Sequence, residues 1–210
     1  MQRKRFLTLI AYQMLSIASI ASVSVAVAYA DDGERPFLPR LVVSSTIPAN
    51  GDLNPYGVAF VPQNFPGGGS IAPGDVLISN FNNLNNVQGT GTTIVKLTPN
   101  GTVVPSVAPG SSGTAVTFFT STPMGLTTAL GVLQRGFVLV GNVPTTNGTF
   151  GTISEGSLQI INRQGKLVKA LNNNVFLDTP WDLTINDNDY QAQVFVSNVK
   201  SGTVSRLILL

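Results

Sequence analysis

The sequence of 210 residues contains no cysteine and no histidine, and charged residues make up only 10% of it. Without cysteine there can be no disulfide, no thiolate nucleophile and no cysteine-ligated metal. Without histidine the most common general base, the Ser-His-Asp triad and every histidine-ligated metal site are excluded. Any catalysis would therefore depend on Asp, Glu, Lys, Tyr or a cation bound by oxygen atoms.

Basic residues are also scarce once the amino-terminal segment is set aside. Arg3, Lys4 and Arg5 account for three of the 12 basic residues, so nine remain against 10 acidic ones. A chain with so few basic residues has no evident surface for a phosphate backbone, and we expect no nucleic-acid partner.

The first thirty residues have the pattern of a secretory signal peptide. A basic segment, Arg3–Arg5, precedes a mostly apolar run from Phe6 to Val27, and Ala28-Tyr29-Ala30 matches a cleavage site. We therefore predict a signal peptide over residues 1–30, a polar lead-in over residues 31–39, and a secreted or periplasmic protein. The apolar run is longer than usual, so an uncleaved membrane anchor is the alternative. No other membrane contact is expected.

Glycine and proline, by contrast, are plentiful, with 21 and 13 copies, and hydrophobic residues make up 43% of the chain. This composition is typical of an all-β domain with many turns. Three units with similar strand patterns are predicted over residues 54–110, 122–172 and 179–210. The predicted strands are 58–61, 75–80, 93–98 and 102–104 in the first unit, 126–130, 136–142, 156–162 and 166–171 in the second, and 183–185, 193–198 and 202–210 in the third. A short strand over residues 40–45 precedes them and is a candidate to complete the third unit.

Repeats of about 50 to 60 residues, each with four short strands, are typical of β-propeller blades. Several predicted strands are continuously apolar, which favours blades buried on both faces. We therefore predict an all-β fold with four-stranded antiparallel blades of the β-propeller type, in an incomplete ring over residues 40–210.

The motifs within these units resemble those of the NHL-repeat β-propellers. The first element of that family's blade is similar to Pro55-Tyr56-Gly57-Val58-Ala59 and to Pro123-Met124-Gly125-Leu126-Thr127, and the second to Leu77-Ile78-Ser79-Asn80 and Phe195-Val196-Ser197-Asn198. The family's glycine turn is similar to Asn100-Gly101 and Gln164-Gly165. The third unit departs from the pattern, because Asp182 stands where the others have glycine.

Three blades are fewer than the four to eight of familiar closed propellers. The chain could be a truncated copy of a longer propeller, or two copies could form a homodimer that completes one ring. An open arc with bare apolar faces is the third alternative, although it would tend to aggregate.

Asn80, Asn142 and Asn198 stand at the ends of the three second strands. Their oxygen atoms could bind Ca²⁺ or a polar small molecule, and the resemblance implies a divalent metal near the central axis, as in gluconolactonase-type propellers. The alternative is that each asparagine caps its strand by bonding to the nearby backbone. No cofactor other than Ca²⁺ is suggested, and no specific metal ligand set can be assigned.

Asp182 follows Trp181 at the start of a predicted inner strand, where an axial pocket could lie. Asp187 and Asp189 lie in a predicted turn that lacks the twelve-residue calcium-loop pattern. Two long loops, 82–89 and 144–154, occupy the same place in two units, and long loops on one rim are where propellers usually bind partners.

The sequence favours a secreted, non-catalytic binding or interaction protein whose partner is an unknown protein or small molecule. One alternative is a metal-dependent enzyme of the lactonase or hydrolase type, which the resemblance also implies. The related lyase-type propellers use histidine, which this chain lacks. Another alternative is a truncated, non-functional fragment. No catalytic residue is predicted.

Overall fold

The computed structural model describes residues 41–188 and 190–210. The predicted signal peptide and lead-in, as well as Asp189, lie outside the described residues. The described part of the chain is all-β. Its strands are β1 (Leu53–Phe60), β2 (Val76–Asn82), β3 (Thr93–Leu97), β4 (Val116–Thr120), β5 (Leu126–Leu133), β6 (Phe137–Asn142), β7 (Ser157–Asn162), β8 (Leu167–Leu171), β9 (Pro180–Asp187), β10 (Ala192–Asn198) and β11 (Thr203–Leu209). A single turn of 3-10 helix, Phe150–Thr152, precedes β7.

The strands form three antiparallel sheets in chain order: β1 to β4, β5 to β8, and β9 to β11. In each sheet, strands that are consecutive in the sequence lie side by side. Short turns allow this arrangement, as between β7 and β8, where Gly165 has a φ of 74° that glycine tolerates without steric cost. The described residues thus form three antiparallel sheets of three or four strands each. The described residues form no closed ring.

The second sheet is buried between the other two. Along its strand β6, Val138 and Val140 belong to the core shared with the first sheet, whereas Leu139 belongs to the core shared with the third sheet. All three side chains are fully buried. Because successive side chains of a strand point to opposite faces, a strand with both faces covered must be apolar at every position. This explains the continuous apolar run of β6.

The third sheet differs, because one of its faces is exposed. Val194 and Val196 of β10 are buried against the second sheet, while Phe195 between them is 36% exposed. The outer face also carries Asp182 and Arg206, which are both exposed. The expectation that the blades are buried on both faces is therefore met for the second sheet and is wrong for the third.

The fourth strand of the first sheet is not the one that was predicted. We expected residues 102–104 to follow the turn at Asn100-Gly101, but they form no strand, and β4 lies at Val116–Thr120 instead. The intervening chain covers the outer face of the first sheet, where Val104 and Ala115 pack against the buried Ile78 and Val95. Burial of this apolar face decides the path of the chain, and the local turn signal could not reveal it.

Residues 41–45 are likewise not a strand, and they do not join the third sheet. The Ser45 amide donates to the Val104 carbonyl at 3.0 Å, and the Val104 amide donates to the Ser44 hydroxyl at 2.9 Å. This segment therefore lies beside the first unit. Completion of the third sheet by residues 40–45, which the sequence left open, is not what the described residues show.

The first strands of the three sheets, β1, β5 and β9, lie next to one another. Side-chain hydrogen bonds connect the three sheets at this edge. Ser79 of β2 donates to the Thr127 carbonyl of β5 at 2.9 Å, and the Thr127 hydroxyl donates to the Pro180 carbonyl of β9 at 3.0 Å. Gly57 permits the closest approach, since a Cβ atom there would lie 2.7 Å from the Thr128 carbonyl oxygen. The three first strands thus form a closely packed inner edge.

Candidate functional site

The three repeated asparagines are buried at equivalent places, where each pins the chain that enters its own sheet. Asn80, Asn142 and Asn198 are 0%, 1% and 2% exposed. Their side-chain amides donate to carbonyls just before the first strand of the same unit: Asn80 to Thr46 at 2.9 Å, Asn142 to Pro123 at 2.9 Å, and Asn198 to Phe176 at 3.2 Å. These bonds join residues 34, 19 and 22 positions apart, so they tie each second strand to the chain that enters its sheet and are not the local capping bonds of the alternative.

Two of these side chains keep an unused acceptor. The Oδ1 atoms of Asn80 and Asn198 have no hydrogen-bond partner among the described residues. Neither side chain reaches the surface, so a dissolved ligand could not contact it without rearrangement. Within the described ranges no three acidic side chains come together as a metal site. Ligand binding or Ca²⁺ at the asparagines therefore stays a prediction.

Asp182 lies on the exposed outer face of the third sheet. Its Oδ1 atom accepts a bond from the Leu183 amide at 2.9 Å, and its own amide donates to the Ser197 hydroxyl at 3.1 Å. Asp187 accepts a bond from the Gln134 amide at 2.6 Å, which ties the third sheet to the second. Both carboxylates thus accept a hydrogen bond from a backbone amide of the fold.

The side chains beside Asp182 form a more suggestive feature, an aromatic cluster of Tyr56, Phe81 and Trp181. The Tyr56 and Phe81 rings stack with centroids 4.2 Å apart, and the Trp181 ring meets Phe81 edge-on at 5.6 Å. These separations are in the favourable range for aromatic pairs. Phe81 is buried, whereas Tyr56 is 38% exposed and Trp181 is partly exposed.

Irregular strand pairing places two of these rings. The register shifts in the first sheet between Pro55 and Gly57, and in the third sheet around Trp181, opposite Ser197 and Asn198. Tyr56 and Trp181 are the extra residues at these bulges. A bulge re-aims the side chain that it carries, and bulges are over-represented next to binding sites. The repeat thus brings two aromatic side chains from different sheets to one end of the inner strands.

The two long loops meet over this cluster. Residues 83–92 follow β2 and residues 143–156 follow β6. Gly148 lies against the Gln88 backbone, and Gly89 lies against the Thr145 side chain, where a Cβ atom would be only 2.8 Å from the Thr145 Cγ2 atom. A small cavity of about 30 Å³ between them is lined in part by Phe81 and Trp181. The loops predicted at equivalent places are therefore one continuous surface. We refer to this surface and the aromatic cluster together as the loop end.

The loop end is rich in uncharged hydrogen-bonding groups. Residues 82–92 include no charged side chain, and the exposed Glu155 is the only one in residues 143–156. Asn82 links the first loop to β1, since its side chain accepts from Asn54 at 3.2 Å and donates to the Asn86 Oδ1 atom at 2.7 Å. Asn85, Asn86 and Gln88 are exposed. Amides that are both donors and acceptors, placed beside aromatic rings, suit an uncharged ligand with hydroxyl or amide groups.

The carboxylate of Asp52 is buried beside the end of the first loop, and the residue is only 3% exposed. Its Oδ2 atom accepts bonds from the backbone amides and hydroxyls of both Thr92 and Thr93, at 2.7 to 3.0 Å. The carboxylate therefore fixes the end of the first loop and is not available to a ligand.

Comparison with protein-family models, with curated proteins and with solved structures finds no match for this chain. The assignment of a function therefore depends on the site itself. No helix in the described part of the chain has the length and apolar character needed to span a membrane.

The aromatic cluster was missed by the sequence reasoning, although a signal was available. Tyr56 and Trp181 each follow a proline at the start of a first strand. Phe81 directly follows the repeated Asn80. An aromatic residue beside each of these motifs could have indicated a shared surface.

Proposed function

We propose that this chain is a secreted, non-catalytic binding protein whose ligand contacts the loop end around Tyr56, Phe81 and Trp181. The observation that carries the proposal is the meeting of two long loops from neighbouring sheets over an aromatic cluster that is partly exposed. Binding sites are commonly placed on loops held by a rigid scaffold. The hydrogen bonds of Asp52 and of the buried asparagines hold these loops and the strands beside them.

The ligand that this surface suits best is an uncharged glycan. A sugar ring offers an apolar face that can stack on Tyr56 or Trp181, while its hydroxyl groups can bond to the exposed amides of Asn86 and Gln88. A strongly anionic ligand would meet no basic side chain on the two loops.

The finer architecture that we propose is an arc of three NHL-like propeller blades. Three stacked antiparallel sheets with adjacent first strands support this interpretation. A homodimer that closes a ring would have to bury the outer face of the third sheet, including Asp182 and Arg206, and burial of charged side chains without partners is costly. We therefore favour a single chain over the ring-completing dimer.

Binding to an array of immobilised oligosaccharides tests the proposed function. The full-length protein should bind neutral glycans in preference to sialylated or sulfated ones. Tyr56→Ala should weaken that binding by at least about tenfold, a loss typical of a stacked aromatic contact. Tyr190→Ala is the matched control, because Tyr190 is 83% exposed in the turn before β10 and far along the chain from both loops.

Equal losses in the two variants would contradict the proposed site, and so would binding confined to charged glycans. Absence of binding to every neutral glycan on the array would contradict the proposed ligand class.

A further inference from the structure

The outer edge of β11 is open in the described part of the chain. The first two sheets have four strands each, and their third strands, β3 and β7, are covered by β4 and β8. The third sheet ends at β11, the equivalent of β3 and β7, with no fourth strand among the described residues. An uncovered strand edge presents unpaired backbone N–H and C=O groups, which readily pair with another strand.

The internal repeat indicates where such a strand would lie. Asn142 pairs with Ser157 in the second sheet, and Asn198 pairs with Thr203 in the third, so β7 and β11 can be superimposed residue by residue. On β7, residues 158–161 pair with β8. The equivalent residues on β11 are 204–207. A fourth strand would therefore run antiparallel to β11 and pair with these four residues.

A groove lies at this place. It has a volume of about 690 Å³ and runs between β8 and β11. Residues 204–207 form one of its walls, residues 169–171 of β8 form the other, and the loop residues Asn172, Asn173, Phe176 and Leu177 complete it. The position that the repeat assigns to a missing strand thus coincides with an open groove among the described residues.

The side chains that line the groove are suited to a partner with acidic and apolar side chains. Lys169 and Arg206 line it and are exposed, and no carboxylate is among its lining residues. Lys169 pairs with Ile160, whose side chain faces the third sheet, so Lys169 is on the groove side of β8. Phe176 is 64% exposed and offers an apolar contact. A second copy of β11 would bring Arg206 near its equivalent and would be opposed by like charge.

We propose that the β11 edge binds an extended segment of a partner protein by strand addition, and that the segment carries acidic side chains on both of its faces among apolar residues. The backbone of residues 204–207 would supply the ladder of hydrogen bonds, and Lys169 and Arg206 would select the acidic side chains. This mode of recognition combines main-chain bonding for affinity with side-chain pockets for specificity. It uses a different surface from the loop end and does not depend on the proposed glycan site.

A pair of labelled peptides provides the test. The first copies residues 166–172 of this chain, which include β8, with Lys166→Glu and Lys169→Glu. The second copies the same residues unchanged and is therefore basic. Fluorescence anisotropy should show that the full-length protein binds the acidic peptide. A third peptide, the acidic one with proline at its centre, should not bind, because proline cannot donate to a strand ladder.

Charge reversal in the protein makes the test specific. Lys169→Glu combined with Arg206→Glu should weaken binding of the acidic peptide by at least about fivefold and should strengthen binding of the basic one. Both side chains are exposed, so the fold should tolerate the changes. Hydrogen exchange should slow at those amides of residues 204–207 that point away from β10 when the acidic peptide is added to the wild-type protein.

Three results would overturn the proposal. The acidic peptide could fail to bind, or its binding could be unaffected by the double charge reversal. The amides of residues 204–207 that point away from β10 could also exchange slowly in the free protein and not respond to peptide, because another segment of the chain or a second copy already covers the edge. Concentration-dependent sedimentation would then identify the second copy as the occupant.

Discussion

Replacement of Asn142 should destabilise the protein by several kcal/mol although it lies in none of the proposed binding surfaces. Its side-chain nitrogen donates to the Pro123 carbonyl at 2.9 Å, and the Met124 carbonyl and the Ser121 hydroxyl each lie 3.2 Å away. An amide has two N–H groups, so at most two of these three acceptors are well bonded at once. With about 1 kcal/mol for each bond and about 1 to 2 kcal/mol for the acceptors left unsatisfied, Asn142→Ala should cost about 3 to 4 kcal/mol.

Asn142→Asp should be at least as harmful, because a carboxylate of nearly the same shape cannot donate and would face the same oxygen atoms. Urea unfolding followed by far-UV circular dichroism measures both variants against Asn174→Ala, an exposed loop position that should change stability by less than about 0.5 kcal/mol. A loss below about 1 kcal/mol for both Asn142 variants would refute the assigned structural role. If the Asn142 variants keep their stability but lose ligand binding, the asparagines would instead be assigned as ligand contacts.

Two further stability predictions concern the inner edge and the base of the loop end. Gly57→Ala should cost about 2 kcal/mol in urea unfolding, because the new Cβ atom would be forced to within 3 Å of neighbouring backbone. Gly67→Ala, where nothing lies within 4 Å, should be tolerated, and equal effects at the two glycines would contradict the close packing. Asp52→Ala should cost about 3 kcal/mol, since two backbone amides lose a buried charged acceptor. Asp182→Ala, on the exposed face of the third sheet, should cost less than about 1 kcal/mol, and a larger loss there would show that its bond to the Leu183 amide matters more than exposure suggests.

The division into three sheets could be predicted because each unit repeats the same local pattern of apolar strands and glycine turns. The second sheet agrees most closely, since each of its four predicted strands is present and the predicted turn at Gln164-Gly165 connects the last two. The path of the first unit could not be predicted. Residues 102–115 leave the sheet to cover its outer apolar face, and that long-range burial leaves no local signature.

The repeat register was also only partly visible in the sequence. Asn80 pairs with Pro55 and Asn198 pairs with Pro180, so these two units share a register. Asn142, however, pairs with Leu126 and not with Pro123. The prolines Pro55, Pro123 and Pro180 therefore indicate where the units begin. They do not reveal the bulges, which depend on pairing with the neighbouring strand.

The candidate site illustrates the same limit. The long loops could be located from composition, but their contact with each other could not, because the residues involved belong to different sheets. The asparagines were singled out because they repeat. Their burial, and hence their structural role, follows only from the carbonyl groups that the fold brings against them.

A fluorescence titration tests the central claim most directly, because Trp181 is the only tryptophan of the chain and lies in the aromatic cluster. The experiment adds neutral oligosaccharides to the full-length protein and follows the emission of Trp181, with Tyr190→Ala and Tyr56→Ala measured in parallel. We predict a saturable change in emission that is retained in Tyr190→Ala and is lost or shifted to much higher concentration in Tyr56→Ala. No change with any neutral oligosaccharide, or binding by calorimetry that leaves the Trp181 emission unaltered, would contradict a ligand site at the loop end.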